Sequence, residues 1–273
     1  MQKLLTVVVS FVTSFVTTSL AVAFYCLPLS SAHAELLETH RNQLADIVDN
    51  QCLANFYKRH SPWPCSHVDL TQGYVIMQDM IGSGHYLLIA TSPVSGIESS
   101  ALLADESPRY FHNAWQHRSL VAATRGTSID DEDIGILVNS LPIRTQDRFH
   151  LHIAPLHRPF ARLLKQQTTN ITADGTTLIW EGRAFHVWKI SEHALAHTNP
   201  LSMIVQRTIK ATPDMSRTAV LLASAGKNAQ GEKELYVVEI YYPQRTDDGW
   251  FPEHLLDWRS APVAFRHHQS AGA

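Results

Sequence analysis

The sequence predicts an α+β fold built on a mostly antiparallel sheet with flanking helices. Two pairs of short apolar runs and one well-marked helix start carry that expectation. Tyr74-Val75-Ile76-Met77 and Tyr86-Leu87-Leu88-Ile89-Ala90 are separated by Asp79 to Gly84, the pattern of strand, turn and strand. Ala219 to Ala223 and Leu235 to Tyr242 flank the turn-rich Gly226-Lys227-Asn228-Ala229-Gln230-Gly231 and read as a second hairpin. Between the hairpins, Ser107-Pro108 places a capping residue before a proline at the first helical position. Phe111, Ala114, Trp115, Val121 and Ala122 then line one face to about residue 124. Strands interleaved with short helices in this order suit α+β rather than a parallel sheet.

The remaining elements follow in order. Residues 35–51 carry Leu36, Leu37, Leu44, Ile47 and Val48 at partial helical spacing. Cys52 and Cys65 then bracket a loop containing Ser61-Pro62-Trp63-Pro64. Ile134 to Asn139 is a strand, and the acidic run Asp130 to Asp133 before it is a solvated loop. Pro142 breaks the chain, Arg148 to Ala154 forms another strand, and Pro159 to Lys165 a short helix. The polar stretch Gln166 to Thr177 connects to strands at Leu178-Ile179-Trp180 and Phe185-His186-Val187-Trp188, and a helix runs from about Pro200 to Lys210. The chain thus divides into a hydrophobic segment at 1–34, a half at 35–170, a second α+β half at 171–265 packed on it, and a frayed tail at 266–273.

The formal net charge of -3 over 273 residues argues against a nucleic-acid binder, which needs a basic face. After Lys3, no charged residue occurs from Leu4 to Leu29, and Ser31-Ala32-His33-Ala34 follows. The run is long enough for a single spanning helix, and Ala32 and Ala34 also suit cleavage of a signal peptide after Ala34. Both readings export the rest of the chain, with Lys3 left inside. Outside the cytoplasm Cys52 and Cys65 should pair, stabilising the fold by about 3 kcal/mol in the loop-entropy account.

The chemistry concentrates on Arg148-Phe149-His150-Leu151-His152-Ile153. Side chains alternate along a strand, so Phe149, Leu151 and Ile153 face the core while Arg148, His150 and His152 share the other face. Two imidazoles beside a guanidinium suit an anionic, phosphorus-centred substrate. The same pair could instead ligate a metal, with His157 or another histidine completing the site, although no Asp or Cys nearby supplies the further ligands such a site wants. Of the 16 histidines, His85, His112, His117 and His157 are further candidates to approach the site, each weighing more heavily as a surface or satisfied core residue.

The stretch from Asn139 through Gln146 to His150-Leu151-His152-Ile153 resembles the histidine-triad signature: an upstream Asn, a Gln shortly before the strand, and alternating histidines. More closely it is similar to the bacterial CDP-diacylglycerol pyrophosphatases. The single hydrophobic N-terminal segment, the early cysteine pair around a Pro-containing loop, and the stretches Gly73-Tyr74-Val75, Tyr86-Leu87-Leu88, Gly96-Ile97-Glu98-Ser99 and Ala114-Trp115-Gln116 carry the likeness. It is specific to about residue 170 and weaker beyond. Arg148 departs from the pattern, since a full triad has histidine first. The resemblance implies a histidine-triad-like fold and hydrolysis of the pyrophosphate bond of CDP-diacylglycerol without a cofactor or metal. His150 would attack phosphorus, and His152 would donate to a phosphoryl oxygen. Asn139 would hold the His150 tautomer, with Arg148 and Gln146 on the phosphate. It also implies an inner-membrane protein whose catalytic part is periplasmic and meets the membrane surface. The lack of a His-x-His pair in the second half suggests an active monomer, with Trp180, Trp188, Tyr241 and Trp250 as candidate surface for acyl chains.

Overall fold

Both hairpins form, and they belong to one nine-stranded sheet. Its strands are β1 His67–Asp69, β2 Tyr74–Gln78, β3 Tyr86–Ala90, β4 Ile134–Val138, β5 His150–Pro155, β6 Thr176–Trp180, β7 Arg183–Ser191, β8 Thr218–Lys227 and β9 Lys233–Tyr241, in the order β1-β2-β3-β5-β4-β8-β9-β7-β6. Every neighbouring pair is antiparallel. The computed structural model describes residues 40–104, 106–126, 129–207, 214–242 and 249–257. The segment at 1–34 and the tail at 266–273, on which the anchor and fraying expectations fall, lie outside them. From Leu44 onward the chain is a single compact unit. The strands of residues 171–257 continue the sheet across the β4–β8 pairing rather than standing apart.

One face of the sheet is covered by α1 Tyr110–Gln116, α2 Ser119–Arg125 and α4 Pro200–Arg207. Phe111, Ala114, Trp115, Val121, Leu201 and Ile204 pack there on Leu88, Ile136, Leu151, Ile153 and Leu222. The stretch expected as a single helix to about 124 breaks at His117-Arg118. Arg118 turns back to donate to the Trp115 carbonyl at 2.7 Å and pairs with Asp131.

The other face is covered by two separate apolar clusters. At one side a helical run (Gln43–Asp46, a π-helical Ile47–Leu53 and Ala54–Arg59) lays Leu44, Val48 and Cys52 on Val75, Met77, Leu87 and Ile89. The helix passes beyond the expected end at residue 51 and stops at His60, in the left-handed conformation, with Pro62 close behind. Cys52 therefore sits on the helix and is joined to Cys65 by a disulfide. At the other side α3 Arg158–Gln166 and the C-terminal stretch bring Phe160, Leu164, Leu255 and Leu256 onto Leu137, Leu221, Val238 and Phe185. β5, central in the sheet, runs beneath the seam between the two clusters. Trp188 and Trp250 are buried in the core, Trp180 packs against it, and Tyr241 is exposed.

Candidate active site

Alternation on β5 places His150 and His152 on the seam face, with Leu151 and Ile153 beneath in the main core. Ile89 and Leu87 lie across from them on β3, and Leu137 is opposite His152 on β4. Both histidines are 7% exposed, so their polar face is enclosed rather than washed by solvent. Their rings stand 5.0 Å apart at 70°.

His150 Nδ1 lies 2.7 Å from the Arg148 carbonyl. Since that nitrogen can only donate to a carbonyl, the neutral ring keeps its lone pair on Nε2. Burial pushes the His150 pKa below its ordinary value. The carbonyl bond and Asp79 oppose that shift, while His85 and Arg144 add to it. The expectation that Asn139 fixes this tautomer is corrected: the backbone of Arg148 does so.

Asn139 belongs to His152 instead. Its Nδ2 lies 3.4 Å from His152 Nε2 and donates to Glu253 Oε1 at 2.6 Å, and that carboxylate is 3.7 Å from the same imidazole nitrogen. On the other edge of the ring, His152 Nδ1 meets His85 Nε2 at 2.9 Å with the ring planes 14° apart. His85 Nδ1 faces the Ile81 carbonyl at 3.2 Å and Asp79 Oδ2 at 3.4 Å. With His85 donating to Ile81, its Nε2 accepts from His152, whose Nε2 then faces the Asn139 amide. All three rings are neutral in this arrangement. Burial, with His150 and His85 alongside, holds the His152 pKa well below the ordinary value, and burial lowers that of His85 too.

Glu253 reaches this place because the C-terminal stretch is stitched to the end of β5. Asp257 N donates to the Pro155 carbonyl and His157 N to the Leu255 carbonyl, and Leu156 bridges Leu256. Gly135 on β4 makes the approach possible: a Cβ there would stand 2.8 Å from Leu256 Cδ2 and 3.0 Å from Leu221 Cδ1.

Two expected phosphate contacts are placed elsewhere. Arg148 precedes the strand, and its guanidinium donates to the carbonyls of Thr91 at 2.9 Å and Ser92 at 3.1 Å and to Asp49. Gln146 Oε1 accepts from the Leu44 amide at 2.9 Å, tying the N-terminal helix to the loop before β5. The guanidinium beside His150 is that of Arg144. With Ser95, Gly96, Asn139 and His150 it lines a narrow crevice, and its Nη1 is 2.6 Å from Glu98 Oε1. Asn139 Oδ1, on the crevice wall, is buried without a hydrogen-bond partner among the described residues, so one acceptor there is left unsatisfied.

Sequence reasoning missed Arg144 and Glu253 and gave His85 too little weight. His85 was legible in principle, since it falls in phase with Leu87 and Ile89, which share the seam face. Glu253 was not, because only the C-terminal stitching brings it near. Among the other histidines, His117 Nε2 meets the Tyr74 hydroxyl at 3.0 Å and His157 lies against the Trp180 ring. Among the described residues no group of three His, Cys, Asp or Glu side chains is arranged to hold a metal ion.

A neutral imidazole with its lone pair on Nε2, a second imidazole one pleat away, and a narrow crevice lined by Arg144 are compatible with nucleophilic attack on an anionic phosphorus centre. The chain belongs to the CDP-diacylglycerol pyrophosphatase family, which it matches over residues 39–261. It is 31% identical over 188 residues to the CDP-diacylglycerol pyrophosphatase of Yersinia pestis, covering 68% of this chain and 73% of that protein.

Proposed function

We propose that this chain hydrolyses the pyrophosphate bond of CDP-diacylglycerol to CMP and phosphatidate, with His150 as the nucleophile. Family membership supports the reaction. The observation that carries the role of His150 is its Nδ1 bond to the Arg148 carbonyl, which leaves Nε2 as the only lone pair of the ring. In this histidine-triad-like scheme Nε2 attacks the phosphorus of the cytidylyl group. The anhydride P–O bond breaks, phosphatidate leaves, and a P–N bond holds CMP on the enzyme. Water then breaks that bond and frees His150. His152 keeps its Nδ1 proton toward His85 and, once Nε2 takes up a proton, donates from Nε2 to a non-bridging phosphoryl oxygen, with Asn139 and Glu253 flanking that nitrogen. Arg144 takes the charge-balancing part first assigned to Arg148, and Gln146 contributes through the helix it holds. The reaction needs no metal-activated water, because imidazole supplies the nucleophile.

The same reading makes the protein an active monomer, anchored in the inner membrane by residues 1–34 or released after Ala34, with its site on the periplasmic side facing the membrane surface. Among the described residues no helix is long and apolar enough to cross a membrane, so anchoring falls to the N-terminal segment. The deciding experiment uses CDP-diacylglycerol labelled in the cytidylyl phosphate, acid quenching being avoided. A base-stable label on His150 that turns over to CMP in the presence of chelator supports the scheme. Release of labelled CMP with no protein-bound label at any time, or activity lost to chelation and restored by zinc, refutes it.

A further inference from the structure

The loop between β2 and β3 carries the most exposed large apolar side chain among the described residues, Met80 at 93%, and next to it Ile81 at 63%. Among the described residues nothing covers this pair. The chain rises there in a turn closed by the Ile81 amide on Asp79 Oδ1 at 2.9 Å and by the Asp79 amide on the His85 carbonyl at 3.0 Å. The base of the loop is fixed. Gly84, at φ +70, lies so close to α2 that a Cβ would stand 2.7 Å from Arg125 Cγ and 2.9 Å from the Val121 carbonyl. The tip alone projects.

A third exposed apolar residue lies at the same end of the sheet. β1 pairs with β2 so that His67 meets Ile76, and Ser66 donates to the Ile76 carbonyl. The cystine loop before Ser66 therefore runs past the Gln78 end of β2, from which the Met80 loop departs. Trp63, 70% exposed, is in that loop. Single exposed apolar residues need no explanation, but an adjacent pair on a narrow projecting turn, with a tryptophan at the same sheet end, is the composition of an interfacial anchor.

We propose that the Met80-Ile81 tip, with Trp63 at the same end of the sheet, inserts into the surface of the lipid bilayer that holds the substrate, next to the histidine relay. The proposal rests on the reading that the substrate is a diacyl lipid. The link to the site is direct: the Ile81 carbonyl and the Asp79 carboxylate of this loop face His85 Nδ1, and His85 Nε2 meets His152 Nδ1. The docking loop therefore carries the acceptors of His85 at its foot, which places the bilayer surface beside the relay. A diacyl lipid stays in its bilayer during attack, so a docking element on the enzyme keeps the phosphoanhydride within reach without extracting the acyl chains.

The test is made on the full chain with two substrates. One is CDP-dioleoylglycerol as a minor component of phosphatidylcholine vesicles, the other CDP-dihexanoylglycerol dissolved below its micelle concentration. Met80→Asp is expected to lower turnover on vesicles about tenfold, the factor set by leaving one methionine side chain unburied. The same variant keeps wild-type turnover on the dissolved substrate, and Met80→Leu keeps both. Unchanged vesicle turnover in Met80→Asp, or an equal loss on both substrates, overturns the proposal. A second measurement stands apart from activity. A nitroxide at Met80→Cys in a Cys26→Ser background should relax with oxygen and be shielded from an aqueous nickel chelate when vesicles are present. A label that stays open to nickel overturns the docking even if turnover is normal, whereas a shielded label with no turnover of either substrate counts against the substrate reading instead.

Discussion

On the resemblance to the histidine-triad signature, Arg148 falls where that signature has its first histidine, and Arg148→His asks what that position does in this chain. The guanidinium makes two good bonds to the Thr91 and Ser92 carbonyls, a longer one to Ala90 at 3.4 Å, and an ion pair with the half-exposed Asp49. It straps the end of β3 to the start of β5 and to the N-terminal helix. Charged hydrogen bonds contribute about 1.5–3 kcal/mol each, the exposed partner of the ion pair reduces its share to nearly nothing, and a histidine is too short to span the same acceptors. The substitution should cost about 3–6 kcal/mol overall, which at about 2–4 °C per kcal/mol for a domain of this size lowers Tm by about 6–24 °C. Turnover per folded molecule should fall or stay level, because restoring an imidazole here adds nothing to His150, whose tautomer depends on the backbone carbonyl. Thermal unfolding by circular dichroism, with turnover on a dispersed substrate well below Tm, measures both. A rise in turnover with Tm within a degree or two of wild type would refute the strap and return position 148 to the site.

His150→Ala should abolish turnover while the circular dichroism spectrum and Tm stay close to wild type, the site lying in a seam between clusters rather than inside one; more than a few per cent residual activity would remove His150 as nucleophile. In the proposed scheme the neutral form of His150 attacks, and its pKa lies below the ordinary value near 6.5, so kcat/KM should stay flat from about pH 8 to about 6.5 and decline only in more acidic buffer; a decline centred above about 7 contradicts the burial argument. The sign for stability is the same: unfolded imidazoles bind protons near 6.5 and the folded ones only at lower pH, so the stabilisation is full above 6.5 and lost as pH falls toward the depressed folded values. Cys52→Ser, breaking a bridge of sequence separation 13, should lower stability by about 3 kcal/mol and loosen the helix over Leu87 and Ile89; denaturant titration with and without reductant reads it, and identical midpoints would count against it.

How far the sequence carried the reader differs from element to element for physical reasons. The hairpins 74–90 and 218–241 were legible because period-two patterning and turn residues are local signals. So was the sharing of one face by His150 and His152. The helix ending at Arg59 was read short, since a cysteine beside a Pro-rich loop suggests loop, while Cys52 is in fact an apolar face residue of the helix. Alternation does carry on to Phe149, which lies in the core, and Arg148 keeps the other face, but its guanidinium is taken up by Asp49 and by the Thr91 and Ser92 carbonyls, partners that no local pattern marks. Arg144 and Glu253 owe their places to tertiary contacts of long range, the first to Glu98 and the second to Leu256 lying over Gly135, and no periodicity marks such contacts.

The late arrival of Glu253 bears on why the chain keeps a second half with no histidine pair of its own. That half closes the sheet beyond β4, and its end turns back to lay Leu255 and Leu256 over β4 and β5. Only that return brings a carboxylate to Asn139 and to the far edge of His152. Glu253→Gln keeps the shape and a hydrogen-bond acceptor but removes the charge, so the Asn139 bond should persist while the interaction with a protonated His152 weakens. The expected outcome is a several-fold loss in kcat at little change in KM or Tm, because His152 loses the anion beside its Nε2. Glu253→Ala, which also frees the Asn139 amide, should lose more. A residue with a merely structural role would move Tm and leave kcat per folded molecule where it was. That result for Glu253→Gln would reduce the C-terminal half to a scaffold and leave the site with histidines and Asn139 alone.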